Sequence, residues 1–365
     1  MKRRLHRKDK KQQKIIISLS VFLVIFLSVG YAAFQTNISL KAKGNIKEKT
    51  ISISDLIKTV VTTGDGLYSD STETGRYVYR GANPNNYITL GTDIYRIISI
   101  ESDGTLKVIK NGNIGYIVFD PGYSTSISGV TDTNSVVGTR YSNTSADYCY
   151  QNSGAESSYH GCNVWGSKTT MLDSSGNNVA AMPREVGGTS YNLPDAEAYI
   201  NTYLNSTWLN TLPIDVQNKI VTHMFNVGIV NVTDGQTLAT DISQEQAYKW
   251  KGKVGLTNVS DYVKASTNSA CTSIIIYSTD SNCYNNSQAH NWIFSSALRS
   301  HYSWIITPLN SRSYGNNYSA LVDGDTSQFS FSNTKNPLGV VPAFYLSSDI
   351  TLKGEGTTTT PYTIM

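Results

Sequence analysis

The chain has 365 residues, a formal net charge of +3 and only 16% charged side chains, where about 25% is ordinary. Its length suffices for a sizeable core, and the positive sign is confined to one end. Beyond residue 14 there are 22 Lys plus Arg against 26 Asp plus Glu, a net of −4, so the body lacks the clustered cations that nucleic acid requires and no nucleic-acid partner is expected.

Residues 1–14 hold eight Lys or Arg against Asp9, a charge of +7. Ile15 to Phe34, IIISLSVFLVIFLSVGYAAF, carries no formal charge, and about twenty such residues match the roughly 30 Å hydrocarbon core of a bilayer. The basic side of such a segment stays cytoplasmic. The expected organisation is a basic cytoplasmic head (1–14), a transmembrane helix or signal anchor (15–34) that makes the membrane a partner, a stalk (35–54) and an extracellular domain (55–365). Small residues at Gly30 and Ala32 also allow cleavage after Ala32, which would secrete the protein. The length of the apolar run favours a retained anchor and a single-pass protein of the cell membrane.

Neutral polar residues and 24 Tyr suit a β-rich exterior protein. A short helix is expected over Asp55–Val61, capped by Ser54. The runs RYVYR, NYITL, DIYRIISI and TLKVIK then read as strands. Asp103-Gly104 between the last two is a hairpin signal, because that turn needs positive φ; the same dipeptide recurs at Asp234-Gly235 and Asp323-Gly324. Residues 121–188, rich in Ser, Asn, Thr and Gly, read as long surface loops.

Four cysteines, Cys149, Cys162, Cys271 and Cys283, allow three pairings. The local one, Cys149 with Cys162 and Cys271 with Cys283, closes two short loops and suits an oxidising compartment; four free thiols are the alternative. Pro194 is expected to open a helix carrying Tyr199, Ile200, Tyr203, Leu204 and Trp208 on one face, and Pro213 a second. Ser243 to Gln246 has capping-box spacing ahead of Tyr248 and Trp250, a third. After GLTNVS, Ser260 is a candidate cap for one turn. The tail reads as strands: HYSWIITP, the hairpin YSALVDGDTSQFSF, LGVVPAFYL, DITL and PYTIM. The fold class is α+β, a mostly antiparallel β domain with about three short helices behind an N-terminal transmembrane helix.

The segments GRYVYRGANPNNYI, IYRIISIESDGTLKVI, GCNVWG, KWKGKVGLTNVSDYVKAS, NWIF, WIITP and GVVPAFYLSSDITLKGEG span Gly75 to the C-terminus. They resemble membrane-anchored, uncharacterised surface proteins of Gram-positive bacteria. The tail also resembles the closing strands of C-type-lectin-like domains, including the sulfatase-modifying type, which implies a C-type-lectin-like fold. Tyr95 stands where such relatives usually carry Trp, and Val341 where they carry Arg. The loop cysteines do not supply the pair that copper chemistry of the sulfatase-modifying kind needs, so that activity is not carried over.

No nucleophile elbow, P-loop, zincin, Rossmann or EF-hand spacing occurs, so no catalytic residue is assigned. His160 beside Cys162, or His290 after Cys283, lacks the paired close ligands of a zinc site. The segment before the Asp323 hairpin offers Tyr314, Asn316, Asn317 and Tyr318, the composition of a binding loop. Asp323, Asp325 and Asp349 offer oxygens for calcium, against the plainer reading of a solvated turn. The sequence thus points to a cell-surface binding or adhesion protein for a glycan or protein ligand without a required cofactor. A wall-associated hydrolase and a structural envelope component are the alternatives.

Overall fold

A computed structural model describes residues 12, 14–27, 50–121, 140, 142, 144–150, 161–231, 238–269, 271, 290–294, 302–308, 318–323 and 328–365. The chain divides into two units, Met1–Glu48 and Lys49–Met365. In the first, residues 14–27 form helix α1, with its apolar side chains from Ile15 to Leu27 exposed. At 1.5 Å per residue that stretch covers about 21 Å, short of a bilayer core. Among the described residues no helix is long and apolar enough to cross a membrane.

The second unit is a mixed α+β structure made mostly of sheet. Its first strands are β1 (Thr50–Ile51), β2 (Gly66–Ser69), β3 (Tyr77–Arg80), β4 (Tyr87–Leu90), β5 (Asp93–Ile100) and β6 (Leu106–Lys110). The middle adds β7 (Tyr116–Val118), β8 (Met171–Asp173), β9 (Ala181–Pro183), β10 (Ser190–Asn192), β11 (Ile220–Val221), β12 (His223–Asn226), β13 (Tyr248–Gly252) and β14 (Val254–Gly255). The tail supplies β15 (Tyr302–Pro308), β16 (Tyr318–Asp323), β17 (Gln328–Asn333), β18 (Pro337–Gly339), β19 (Ala343–Leu346), β20 (Leu352–Lys353) and β21 (Tyr362–Ile364).

The main sheet runs β1-β20-β21-β4-β5-β6-β19-β11, with β2 on β3, β3 on β5 and β14 on β19. A second runs β17-β16-β15-β18-β7, a third β12-β13-β8, and β9 pairs with β10. Pairing is antiparallel except for β21 on β4 and β15 on β18. The Asp103-Gly104 turn joins β5 to β6 with Gly104 at φ +85°, as the hairpin signal requires. The strands flanking Asp323-Gly324 pair as expected, while Asp234-Gly235 lies outside the described residues.

Strand β5 is buried from Tyr95 to Ile100 because both of its faces are covered. Tyr95 and Ile97 enter a large core with Trp165, Trp208, Trp250 and Trp304. Ile98 instead joins a second core with Tyr262, Trp292 and Phe329, next to a register shift between Ile97 and Ser99. Neighbouring β6 does the same, Leu106 and Val108 facing one core and Ile109 the other.

Several expected elements shift. Helix α2 is Ile53–Ile57, capped by Ser52 in a capping box with Asp55, rather than by Ser54. Residues 50–54, expected in the stalk, thus form β1 and open α2. Helix α3 begins at Tyr199, five residues after Pro194, and passes after Thr202 into a π-helical turn, Tyr203–Trp208. Within that turn Asn205 bonds both backbone groups of Val254, at 2.8 and 3.0 Å. Helix α4 (Ile214–Lys219) follows Pro213 as expected, but Ile220 and Val221 leave it to pair with β19. Helix α5 is Leu238–Gln246, so the Ser243–Gln246 spacing closes a helix instead of opening one, and Tyr248 and Trp250 belong to β13, held between β12 and β8. Helix α6 is Val259–Lys264, capped by Asn258 rather than Ser260, whose hydroxyl donates to Glu245. Among the described residues the second unit carries five short α-helices, where about three were expected.

The expected surface loop over 121–188 is overturned at residues 161–167, which are buried throughout. Arg140, in an ion pair with Asp120 at 3.1 Å, donates to the carbonyls of Cys162 and Val164, and Asp120 accepts the Cys162 N–H at 2.6 Å. Cys149 and Cys162 form a disulfide, as the local pairing expected. Cys271 is also disulfide-bonded, and Cys283 lies outside the described residues.

A disulfide closing a loop of this length, with a sequence separation of 13, stabilises by about 3 kcal/mol in the chain-entropy model. Replacing Cys149 and Cys162 together by Ser should lower the Tm of the full chain by several degrees in calorimetry. An unchanged Tm would remove the bond from the list of stabilising elements.

Candidate functional site

Side chains on a strand alternate between faces, so Arg76, just before β3, shares one face with Val78 and Arg80 while Tyr77 and Tyr79 point the other way. The β2–β3 register sets Tyr68 opposite Val78, which adds Tyr68 to that face, with Asp70 at the end of β2. Helix α6 packs over it. Every residue of α6 is buried, so its charged members must find partners.

They do so in one network. Lys264 Nζ lies 2.9 Å from Asp70 Oδ2 and also contacts Glu73. Arg76 reaches Asp70 at 2.7 Å, Glu101 at 3.0 Å and Asp261 at 3.6 Å. Lys107 Nζ lies 2.6 Å from Asp261 Oδ2 and donates to Asn258 Oδ1 at 3.1 Å. The side chains of Asp70, Arg76, Lys107, Asp261 and Lys264 are each no more than 7% exposed, so these contacts are little screened by solvent. Burial alone would raise the Asp70 carboxyl, but Lys264 and Arg76 outweigh it and hold the group well below the usual carboxylate range. Burial opposes ionisation of Asp261 in the same way, and Lys107 and Arg76 again prevail. The Arg76 guanidinium is destabilised by burial, yet its carboxylates raise it well above its ordinary value. Behind the network, Glu245 is pushed up by burial; it accepts hydrogen bonds from the Ser260 hydroxyl and from Thr307 Oγ1 at 2.9 Å.

A cleft of about 330 Å³ opens beside the network, its lining including Ser69, Ser71, Thr72, Arg80, Lys264 and Cys271. The Asp70 Oδ1 atom accepts from Thr72 N–H and hydroxyl at 2.9 and 2.7 Å, which fixes that wall. Next to the lining residue Arg80 stands Gly81, at φ +109°, where a Cβ would collide with the Asp65 carboxylate. Its N–H donates to Ala265 O at 3.0 Å, joining the end of β3 to the end of α6. Arg80, half-buried between them, donates from Nε to Ser266 O at 2.7 Å and lies 4.9 Å over the Tyr68 ring. Burial lowers its pKa, with Tyr68 and Asp70 pulling the other way.

A larger cleft of about 570 Å³ lies around Arg140, Asp147, Lys168 and Asn192. Its charged groups are matched to one another: Arg140 to Asp120, Lys168 to Asp195, and Asp147 to the Ser142 and Asn192 side chains. The smaller cleft is the stronger candidate because the terminal nitrogens of Arg80 have no acceptor among the described residues.

The residues expected to bind ligand lie elsewhere. Tyr314, Asn316, Asn317 and Asp325 are outside the described residues. Tyr318 opens β16 opposite Asn333, and Asp323 closes it opposite Gln328. Asp349 is an exposed turn residue that accepts the Ser347 hydroxyl. Among the described residues no cluster of His, Cys, Asp or Glu is placed to hold a metal ion, calcium included. The cleft could have been suspected from two signals: charged residues among the apolar ones of helix VSDYVK, and arginines at the two ends of RYVYR, four residues apart and so on one face. No family model, curated protein or solved structure matches the chain.

Removing one partner of a buried ion pair costs about 3–5 kcal/mol, since the other charge is left uncompensated. Lys107→Met should therefore unfold at markedly lower denaturant than wild type, and adding Asp261→Leu should recover part of the loss. A lone Lys107→Met variant as stable as wild type would refute the ion-pair account. Asp70 and Asp261 have folded pKa values below the unfolded value of about 3.9. Their stabilisation is complete above that value and is lost as the pH falls through the folded values. Acid melts should thus show a decline beginning near pH 4, and Asp70→Asn should flatten it.

Proposed function

We propose that this protein is a cell-surface binding protein, held at a membrane by residues 15–34, whose second unit faces the exterior and receives a polar ligand such as a saccharide in the cleft between β2, β3 and α6. The observation that carries the reading is a cleft with fixed walls: its size falls at the lower end of the roughly 300–1,000 Å³ range of small-molecule sites. Its floor is immobilised by the buried ion network. The hydroxyls of Ser69, Ser71 and Ser269 line it, as suits a ligand rich in hydrogen-bonding groups.

The membrane part of the reading draws on the charge-free run 15–34 behind a basic head and on the apolar side chains that α1 leaves exposed. The disulfides agree with an oxidising exterior. The motif resemblance to Gram-positive surface proteins and to C-type-lectin-like domains points the same way. Binding fits the cleft better than hydrolysis, because the carboxylate that lines it, Asp70, is saturated by Lys264, Arg76 and Thr72 and cannot serve as a proton donor.

A saccharide panel titrated against full-length protein in lipid nanodiscs tests this. At least one saccharide should bind, and Ser71→Trp, which fills the cleft from an exposed position, should abolish binding with Tm unchanged. Binding that survives the blocked cleft, or a second unit that resists protease added to intact cells, would refute the proposal.

A further inference from the structure

Resting on that cleft as the ligand site, we infer that the ligand carries an oxyanion, a carboxylate or a sulfate or phosphate ester, and that Arg80 grips it end-on. The inference comes from comparing the arginines of the second unit among the described residues. Arg76 engages all three nitrogens, with Nε on Glu101 and the terminal pair on Asp70 and Ser99. Arg96 is enclosed, donating to Asn86 Oδ1 and Pro84 O between the rings of Tyr87 and Trp292. Arg140 gives its terminal nitrogens to the carbonyls of Ala196, Cys162 and Val164, and Arg184 donates to Tyr148 O and Asp147 O.

Arg80 differs from all four. Its Nε is fixed on Ser266 O and one face of the guanidinium lies over Tyr68, but among the described residues neither terminal nitrogen has an acceptor and no carboxylate lies within salt-bridge distance. What remains is a planar fork of four N–H groups, oriented by its other contacts and lining a cleft. That arrangement matches two oxygens of a carboxylate, sulfate or phosphate, and it loses little freedom on binding. Asp70, the carboxylate that lines the cleft, is neutralised by Lys264 and Arg76. The four carboxylates of the network, Asp70, Glu73, Glu101 and Asp261, face the three cations Arg76, Lys107 and Lys264, and Arg80 brings the face to balance. Ser69, Ser71 and Ser269 then serve the uncharged remainder of the ligand.

The test is calorimetric titration of the full-length protein in nanodiscs with one oligosaccharide in neutral, carboxylated, sulfated and phosphorylated forms. Inorganic sulfate and phosphate are run separately to distinguish a free ion from an esterified one. At least one acidic form should bind tenfold or more tightly than the neutral one, and the advantage should shrink with added salt. Arg80→Gln should erase that advantage while neutral binding persists, and Arg80→Lys should restore only part of it, because an ammonium cannot form the two parallel bonds. Far-UV circular dichroism and Tm confirm that each variant is folded; if Arg80→Gln fails to fold, the Arg80→Lys titration carries the test. Equal affinity for neutral and acidic forms overturns the inference and leaves the cleft as a neutral saccharide site. Acidic binding that survives Ser71→Trp, or no binding by any form, overturns the cleft reading as well.

Discussion

The placement of Asp261 inside the second unit is the constraint on which the rest of the site depends. Its helix is buried along its whole length, and a lone carboxylate there would be expelled or protonated. Lys107 from β6 and Arg76 from the start of β3 keep it charged, and Arg76 in turn holds Asp70 and Glu101. The network thus joins the ends of β2 and β5, the strand β6, the approach to β3 and the helix α6. Those elements lie up to about 190 residues apart in sequence, Lys264 and Asp70 being separated by 194. Ion pairs need specific directions and distances, so they fix how α6 sits on the hairpin more tightly than apolar contact alone would.

The two cores explain why such a network lies where it does. Strands β5 and β6 send Ile97, Leu106 and Val108 to the larger core and Ile98 and Ile109 to the smaller one. The register shift near Ile97–Ser99 brings Ser99 to Arg76, where it accepts from the guanidinium at 3.1 Å and donates to Glu101 at 2.6 Å. A bulge re-aims side chains locally. Here that lets one strand serve an apolar core and a polar network within three residues.

Much of the β architecture was legible because its signals are local. Alternation and an Asp-Gly turn suffice for β5 and β6, and the tail strands follow their apolar runs. What sequence spacing misjudged was decided by distant partners. Tyr248 and Trp250 look helical beside a capping-box spacing, but pairing of Trp250 with Phe225 and Met171, and of Tyr248 with Asp173, across the three-stranded sheet makes them strand. The polar segment around Trp165 looks like loop, yet Asp120 and Arg140 satisfy its backbone from outside and allow it to be buried. The cleft was hidden for the same reason. A composition rich in Tyr and Asn drew attention to residues 314–318, whereas the feature that distinguishes Arg80 is what its nitrogens lack, and that is visible only once Ser266 and Tyr68 are beside it.

A network of this kind is not required for stability as such, since well-packed apolar residues of similar volume can replace buried ion pairs at no net cost. Its value is therefore better sought in geometry. Lys264 and Arg76 hold Asp70 Oδ2, which leaves Oδ1 to accept the Thr72 N–H and hydroxyl and so fixes the turn bearing Ser71 and Thr72. On the other side, Gly81 brings β3 against the end of α6, and that approach places Ser266 O where Arg80 Nε can reach it. Apolar substitutes in place of Asp70 and Lys264 could fill the same space, but would leave the Thr72 backbone without its acceptor and the wall free to move. The charges beneath the cleft are thus best understood as a rigid mount for the groups that line it.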